Sequence, residues 1–266
     1  MSSRPEILFG VAGWSYADWK GVVYPRGCKD TLRFVADRVD LIEINNSFYR
    51  PPVAKHCASW VERTEDFGTR FTAKLPRECT HERVRDAGFY ADVRAGFLPL
   101  LESGRCLGLL AQFDYRFACS RDAVAHLALL ASHFSADVPL VVEVRHRSWN
   151  DPRAVEELRR LGISLAALDY PGASSGFSLD VPAANGAAGL AYYRLHGRNQ
   201  AWFKKGAGRD EVYDWEYSAQ QVGEIEQRLE RLSAAATKTV VVANNHFQGK
   251  AMQLIDELIS WYRARS

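Results

Sequence analysis

Eight short runs of β-branched and apolar residues recur along the chain. Between most of them apolar residues return every three or four positions, the spacing of a helix with one buried face. The runs are Ile7–Gly13, Leu41–Asn45, Arg70–Pro76, Cys106–Phe113, Pro139–His146, Ser164–Tyr170, Leu190–Gly197 and Thr239–Asn245. Helices are expected over Thr31–Arg38, Ala54–Thr64, Val93–Glu102, Arg121–Phe134, Pro152–Arg160, Ala219–Ala235 and Gly249–Arg263. Pro152 suits a first helical turn, and Gly104 and Gly162 fall just past helix ends, where a left-handed residue closes the last turn. The stretch Gly172–Gly189 is rich in Gly, Ala, Ser and Pro and has no helical period, which predicts that one helix is degenerate or missing between the sixth and seventh strands. Eight strand–helix units in 266 residues match an α/β fold of the (β/α)8 TIM-barrel type, a single domain over 1–266. An open doubly wound sheet is the alternative. It would bring a third glycine to the phosphate turn after the first strand, and Gly10-Val11-Ala12-Gly13 is followed by Trp14.

Strands covered by helices on one side and by barrel core on the other should be apolar throughout, so their polar residues need a reason. Side chains alternate between the faces of a strand, and the polar positions are expected to share the inward face. Glu43 and Asn45 oppose Ile42 and Ile44, and Thr72 and Lys74 oppose Phe71, Ala73 and Leu75. Glu143 and Arg145 oppose Val142 and Val144, Asp169 opposes Leu168, and Arg194 and His196 oppose Tyr193 and Leu195. Gln112 and Asn244 continue the set. All lie toward the C-terminal strand ends, where active sites of this architecture sit. A buried ion-pair network that only fixes the barrel is the competing explanation. Three acids (Glu43, Glu143, Asp169) balance three bases (Lys74, Arg145, Arg194), but an apolar layer would do that structural work at lower desolvation cost.

Composition narrows the context. No run of eighteen apolar residues and no signal-peptide segment is present, which predicts a soluble cytoplasmic protein without a membrane partner. The five cysteines are an odd number without a CxxC pair, which argues for a reducing compartment and against a disulfide framework or a cysteine zinc site. With 34 basic and 32 acidic side chains, any anion affinity must come from local clustering. The loops supply such clusters. Phe48, Tyr49 and Arg50 follow the second strand, His146, Arg147 and Trp149 the fifth, and Arg198, Trp202, Phe203, Lys204 and Lys205 the seventh, while Trp14 and Tyr16 follow the first. Aromatic faces interleaved with Arg and Lys suit bases, sugars or other flat groups that carry phosphate.

The motifs Gly10-Val-Ala-Gly-Trp-Ser-Tyr16, Glu43-Ile-Asn-Asn-Ser-Phe-Tyr49, Lys74-Leu-Pro76, Thr80-His81, Gln112-Phe113, Glu143-Val-Arg-His-Arg-Ser-Trp149, Asp169-Tyr-Pro171, Arg194-Leu-His-Gly-Arg198 and Asn244-Asn-His246 span nearly the whole chain. Together they resemble the YecE-like proteins, a domain-of-unknown-function family. The resemblance implies a TIM barrel and leaves the activity open. One departure is Asp114, where the family pattern has proline after Gln112-Phe113.

Three functions fit these residues. The first is an enzyme, of phosphodiesterase or endonuclease type, acting on a phosphate-bearing substrate such as a nucleotide or nucleic acid. Lys74, Arg145 and Arg194 would orient phosphate, and His196 would be the general acid or base beside Glu143, Asp169 and Glu43. Asn45, Gln112, Arg198 and Asn244, with the rings of Phe48, Tyr49, Trp149 and Trp202, would hold the substrate. The second is a glycoside hydrolase using Glu143 and Asp169 as a close carboxylate pair. The third is a non-catalytic module that binds an anionic metabolite or single-stranded nucleic acid. Glu43, Glu143, Asp169, His196 and His246 have the chemistry of divalent-metal ligands, though no compact motif such as HExxH joins them.

Overall fold

In the computed structural model, which describes residues 5–172 and 189–265, all eight expected strands form and close into one parallel barrel in chain order. They are β1 (Glu6–Ala12), β2 (Leu41–Ile44), β3 (Arg70–Lys74), β4 (Cys106–Gln112), β5 (Leu140–Glu143), β6 (Ser164–Asp169), β7 (Leu190–Leu195) and β8 (Lys238–Ala243). The helices among the described residues are α1 (Thr31–Ala36), α2 (Ala54–Arg63), α3 (Arg77–Thr80), α4 (Ala87–Glu102), α5 (Arg121–Phe134), α6 (Pro152–Arg160), α7 (Arg209–Tyr213), α8 (Ala219–Ala234) and α9 (Lys250–Arg263). The expected degenerate helix between β6 and β7 falls on residues 173–188, outside the described residues.

Local chemistry sets where the helices begin and end. Asp151 accepts from the Arg153 N–H with Pro152 in the first turn of α6, Ser120 caps α5, and Ser218 and Gln221 form a reciprocal capping box on α8. Gly104 and Gly162 adopt φ of +66° and +73° just beyond α4 and α6, as their positions predict. Helix α4 starts at Ala87 rather than Val93. Asp86 caps it through the Phe89 N–H at 2.8 Å, and Tyr90 is buried in its first turn, so packing extends the helix through weak formers. Helices α3 and α7 have four and five residues, too few for a hydrophobic period to register. No helix among the described residues is long and apolar enough to cross a membrane.

The ladders fix which side chains enter the barrel. Glu43 pairs with Ala12 and Thr72, Gln112 with Glu143, and Arg194 with Leu168 and Val242. Partners side by side in a parallel ladder share a face, so these residues point inward together. Between β3 and β4 the register shifts: Phe71 pairs with Cys106 but Thr72 with Gly108, leaving Leu107 as an extra residue on β4. Inward positions change from apolar to polar as the strands rise, from Val141 to Glu143 on β5 and from Leu110 to Gln112 on β4. Asp169 breaks the expected pattern. It pairs with Leu195, while Leu168 pairs with Arg194, so Leu168 faces inward and Asp169 faces the helices. Small or apolar residues (Ser164, Ala166, Leu168) occupy the inward positions of β6, and the carboxylate has the opposite parity.

Candidate functional site

The centre of the barrel is occupied by the guanidinium of Arg194. Its Nε and Nη2 donate to Glu43 Oε2 and Oε1 at 3.0 and 2.6 Å, and its Nη1 donates to Glu143 Oε2 and to Gln112 Oε1 at 3.0 Å. Below it the Tyr192 hydroxyl donates to Glu43 Oε2 at 2.8 Å and accepts from Thr72 at the same distance. Above it Arg145 donates twice to Glu143 Oε1, at 3.0 and 2.6 Å. Glu43, Glu143 and Arg194 have no exposed surface. Burial alone would raise the Glu143 carboxyl, but Arg194, His196 and Arg145 hold it well below the usual carboxylate range. Burial likewise opposes the charge of Arg194, and Glu43 and Glu143 outweigh it. These three residues were expected to touch substrate, and they instead form a closed and mutually satisfied ion network. Arg194 therefore has no edge left for a phosphate.

His196 is also enclosed. Its Nδ1 meets the Asn244 side-chain amide at 3.0 Å, and its Nε2 lies 3.4 Å from Glu143 Oε1 and 3.3 Å from Arg194 Nη1. Burial, opposed by Glu143, lowers its pKa to about 4, so the ring is neutral at physiological pH. A sealed, neutral imidazole with both nitrogens engaged is a strut of the network rather than the expected acid or base. Asn244, buried with it, serves the same strut rather than a ligand. Asp169 accepts from Arg198 Nε and Nη2 at 2.9 and 2.7 Å and from the Tyr217 hydroxyl at 3.1 Å, and Arg198 continues to Glu224 on α8. That cluster lies outside the barrel and pins the loop after β7 to α8. Gly197, at the start of this loop, has φ of +82° and abuts Trp215, where a Cβ would sit 2.5 Å from the Trp215 Cβ. Arg198 is thus spent on structure, and Glu143 and Asp169, on opposite faces of the sheet, cannot form the carboxylate pair of a glycosidase. Trp149 is the remaining correction: fully buried, it donates from Nε1 to the Phe117 carbonyl at 2.7 Å and stacks on the Phe117 ring. Among the described residues no three His, Cys, Asp or Glu side chains gather as metal ligands.

What stays accessible is the rim of the mouth. Arg145, 13% exposed, lies between Glu143 and the face of Trp202, with its guanidinium carbon 4.7 Å from that ring centroid. Beside them a cleft of about 690 Å³ is lined by Arg145, Arg147, Tyr115, Tyr170, Trp202 and Phe203, with His146 and Gly172; no carboxylate is among its described lining residues. Across the mouth a smaller pocket of about 300 Å³ is formed by Asn45, Asn46, Tyr49 and the Gly13–Tyr16 turn, with Asn45 Oδ1 buried and unpartnered among the described residues. Half-buried Lys74, at the end of β3, makes no hydrogen bond or ion pair among the described residues, and its Nζ lies 5.8 Å from the centre of the Phe48 ring. Burial first, and then the charge of Arg194, lower its pKa to about 7 against the opposing pull of Glu43 and Glu143.

Residues 8–265 match the family model described as protein of unknown function DUF72. The chain belongs to the DUF72 family. It is 26% identical over 264 residues to the UPF0759 protein YunF of Bacillus subtilis (strain 168), covering 92% of this chain and 90% of that relative. The DUF72 family protein TM1631 of Thermotoga maritima MSB8 is 28% identical and superposes with a TM-score of 0.86 over 97% of this chain and 99% of that one. The DUF72 family protein EF0366 of Enterococcus faecalis V583, at 23% identity, shares the fold with a TM-score of 0.81 over 96% and 94% of the two chains.

In this DUF72 barrel Asp114 organises its own loop, accepting from the Arg116 N–H at 2.8 Å and pairing with the Arg116 guanidinium, so the chain turns there without a proline. The sequence pattern missed Tyr192, Tyr115 and Tyr170. Tyr192 lies two positions before Arg194 on the inward face, and that parity was the available signal; tyrosine passes as apolar when a strand is scanned for polar residues. Tyr115 and Tyr170 carried no comparable mark.

Proposed function

We propose that this barrel binds, at its C-terminal mouth, a small organic anion with a flat or ring-shaped body. Its phosphate or carboxylate group faces Arg145 and Arg147, and its ring lies along Trp202 and Tyr170. The observation that carries this reading is the cleft itself, which combines two arginines with four aromatic side chains and has no carboxylate among its described lining residues. Arg145 is already aligned by Glu143 and Trp202, so little ordering entropy opposes binding. The burial of His196 and Glu143 below the rim favours this reading over hydrolysis of a phosphodiester by that pair.

Titration calorimetry with inorganic phosphate, ribose 5-phosphate, a mononucleotide and a short oligonucleotide tests this. The mononucleotide or sugar phosphate should bind more tightly than phosphate alone. Arg145→Met should weaken binding by about tenfold or more, the worth of one charge-assisted hydrogen bond of about 1.5–3 kcal/mol. Equal affinity in Arg145→Met, or heat only with the oligonucleotide, would remove the small-anion reading.

A further inference from the structure

We infer that Lys74 acts as a nucleophile whose amine condenses with an aldehyde or ketone group of the bound anion to form a reversible imine. This rests on the anion-binding reading and names the class of ligand: a carbonyl compound carrying phosphate or carboxylate.

The charge arrangement around the side chain is the main argument. Within the barrel Glu43 and Glu143 are already balanced by Arg194 and Arg145, each through direct hydrogen bonds. A protonated Lys74 therefore leaves one uncompensated positive charge in the half-buried mouth, and a neutral amine leaves none. The groups that bear on it are Glu43 from β2, Glu143 and Arg145 from β5 and Arg194 from β7, with the Phe48 ring as an apolar wall. Their sum, together with burial, sets the pKa at about 7, against about 10.4 for a free lysine, so a large share of the side chain carries its lone pair at neutral pH. A lysine kept only as a counter-charge would be served better by a partner or by full exposure, and half-buried Lys74 has no such partner among the described residues. Its neighbour Arg145, permanently charged, is left to hold the anion.

The step needs no outside oxidant or reductant. The amine lone pair forms a C–N bond to the carbonyl carbon while the π pair of the C=O moves to oxygen, which takes up a proton as nitrogen releases one. The resulting carbinolamine then loses its hydroxyl and a proton as water, leaving C=N.

Pyridoxal 5′-phosphate is a suitable probe, being a flat aldehyde that carries phosphate. The protein is incubated with it, reduced with borohydride, which delivers hydride to the imine carbon, and digested for mass spectrometry. Calorimetry without reductant measures binding in parallel. Lys74 should be the first lysine modified at neutral pH, ahead of exposed Lys204 and Lys205, and its modification should reach half its maximum near pH 7. Lys74→Met, which removes the amine, should abolish that adduct and lose the imine's share of the probe's affinity, while a mononucleotide, which has no aldehyde or ketone group, still gives a binding heat. Lys74→Gln is the second variant if the methionine variant does not fold. If the probe binds and Lys74 stays unmodified, or is modified only in the alkaline range of the exposed lysines, the nucleophile inference is overturned and the anion site stands. If the probe neither binds nor modifies Lys74, both fall.

Discussion

Two tiers of charge occupy the same strand ends and behave in opposite ways. In the inner tier Glu43, Glu143, Arg194 and His196 exclude solvent and satisfy one another. In the outer tier Arg145, Arg147 and Lys74 lie beside aromatic walls with spare valences. The tiers are only about one inward position apart, roughly 7 Å along a strand. Side-chain type therefore does not decide which charges are sealed and which stay open at the mouth; their place in the barrel does. The inner tier trades desolvation for mutual pairing and serves as the floor on which the outer tier is held.

The contrast can be broken most sharply at Arg194. Arg194→Met leaves buried Glu43 without its cation and Glu143 with Arg145 alone, and should lower stability by about 3–5 kcal/mol in denaturant unfolding. A loss below about 1 kcal/mol would mean that the inner tier is not closed. Acid titration of stability comes next. The neutral His196 takes up its proton at about 6.5 when unfolded and at about 4 when folded, so stability should fall as pH drops through that window. Glu143, held low in the fold, contributes stability that is complete above about pH 4.3 and is lost on further acidification. His196→Gln should flatten the first limb alone and Glu143→Gln the second, as read by unfolding at a series of pH values. Lys74 has the opposite placement. The unfolded chain holds that proton up to about pH 10.4 and the folded one only to about 7, so wild-type stability should gain from pH 7 upward, a gain that Lys74→Met removes. The smallest effect is expected at exposed Arg147, where Arg147→Ala should change stability by no more than about 0.5 kcal/mol and still weaken anion binding.

The barrel was readable because eight apolar runs and their helical intervals obey two different periods, and period is a backbone property visible without contacts. The inner tier was readable for the same reason: Glu43, Thr72, Glu143 and Arg194 fall on alternate positions. Asp169 shows the limit. A single polar residue in an apolar strand states that one face is special but not which, and only the ladder to β7 decides it. Trp149 and Arg198 fail differently. Both follow strands at the mouth, where aromatic and basic residues invite assignment to a ligand, and both are consumed by tertiary contacts that no local pattern reports. Lys74 was readable as an inward base from its parity with Thr72, but that it has no ion-pair partner among the described residues became visible only once its neighbours had chosen theirs.

Leu107 gives the barrel a dependence on chain length. Cys106 faces the helices with Phe71 and Gly108 faces inward with Thr72, so the single extra residue between them inverts the parity of β4 from there on. Leu110 and Gln112 point inward because of that count, not because of what residue 107 is. Substitutions at 107 that keep an apolar side chain should therefore pass unnoticed, whereas an in-frame loss of one codon would turn Gln112 toward the helices or make the strand slip, and Arg194 Nη1 would lose an acceptor. At this point the gene stores information about the site as a spacing, and a comparison of relatives that scores only residue identity would overlook it.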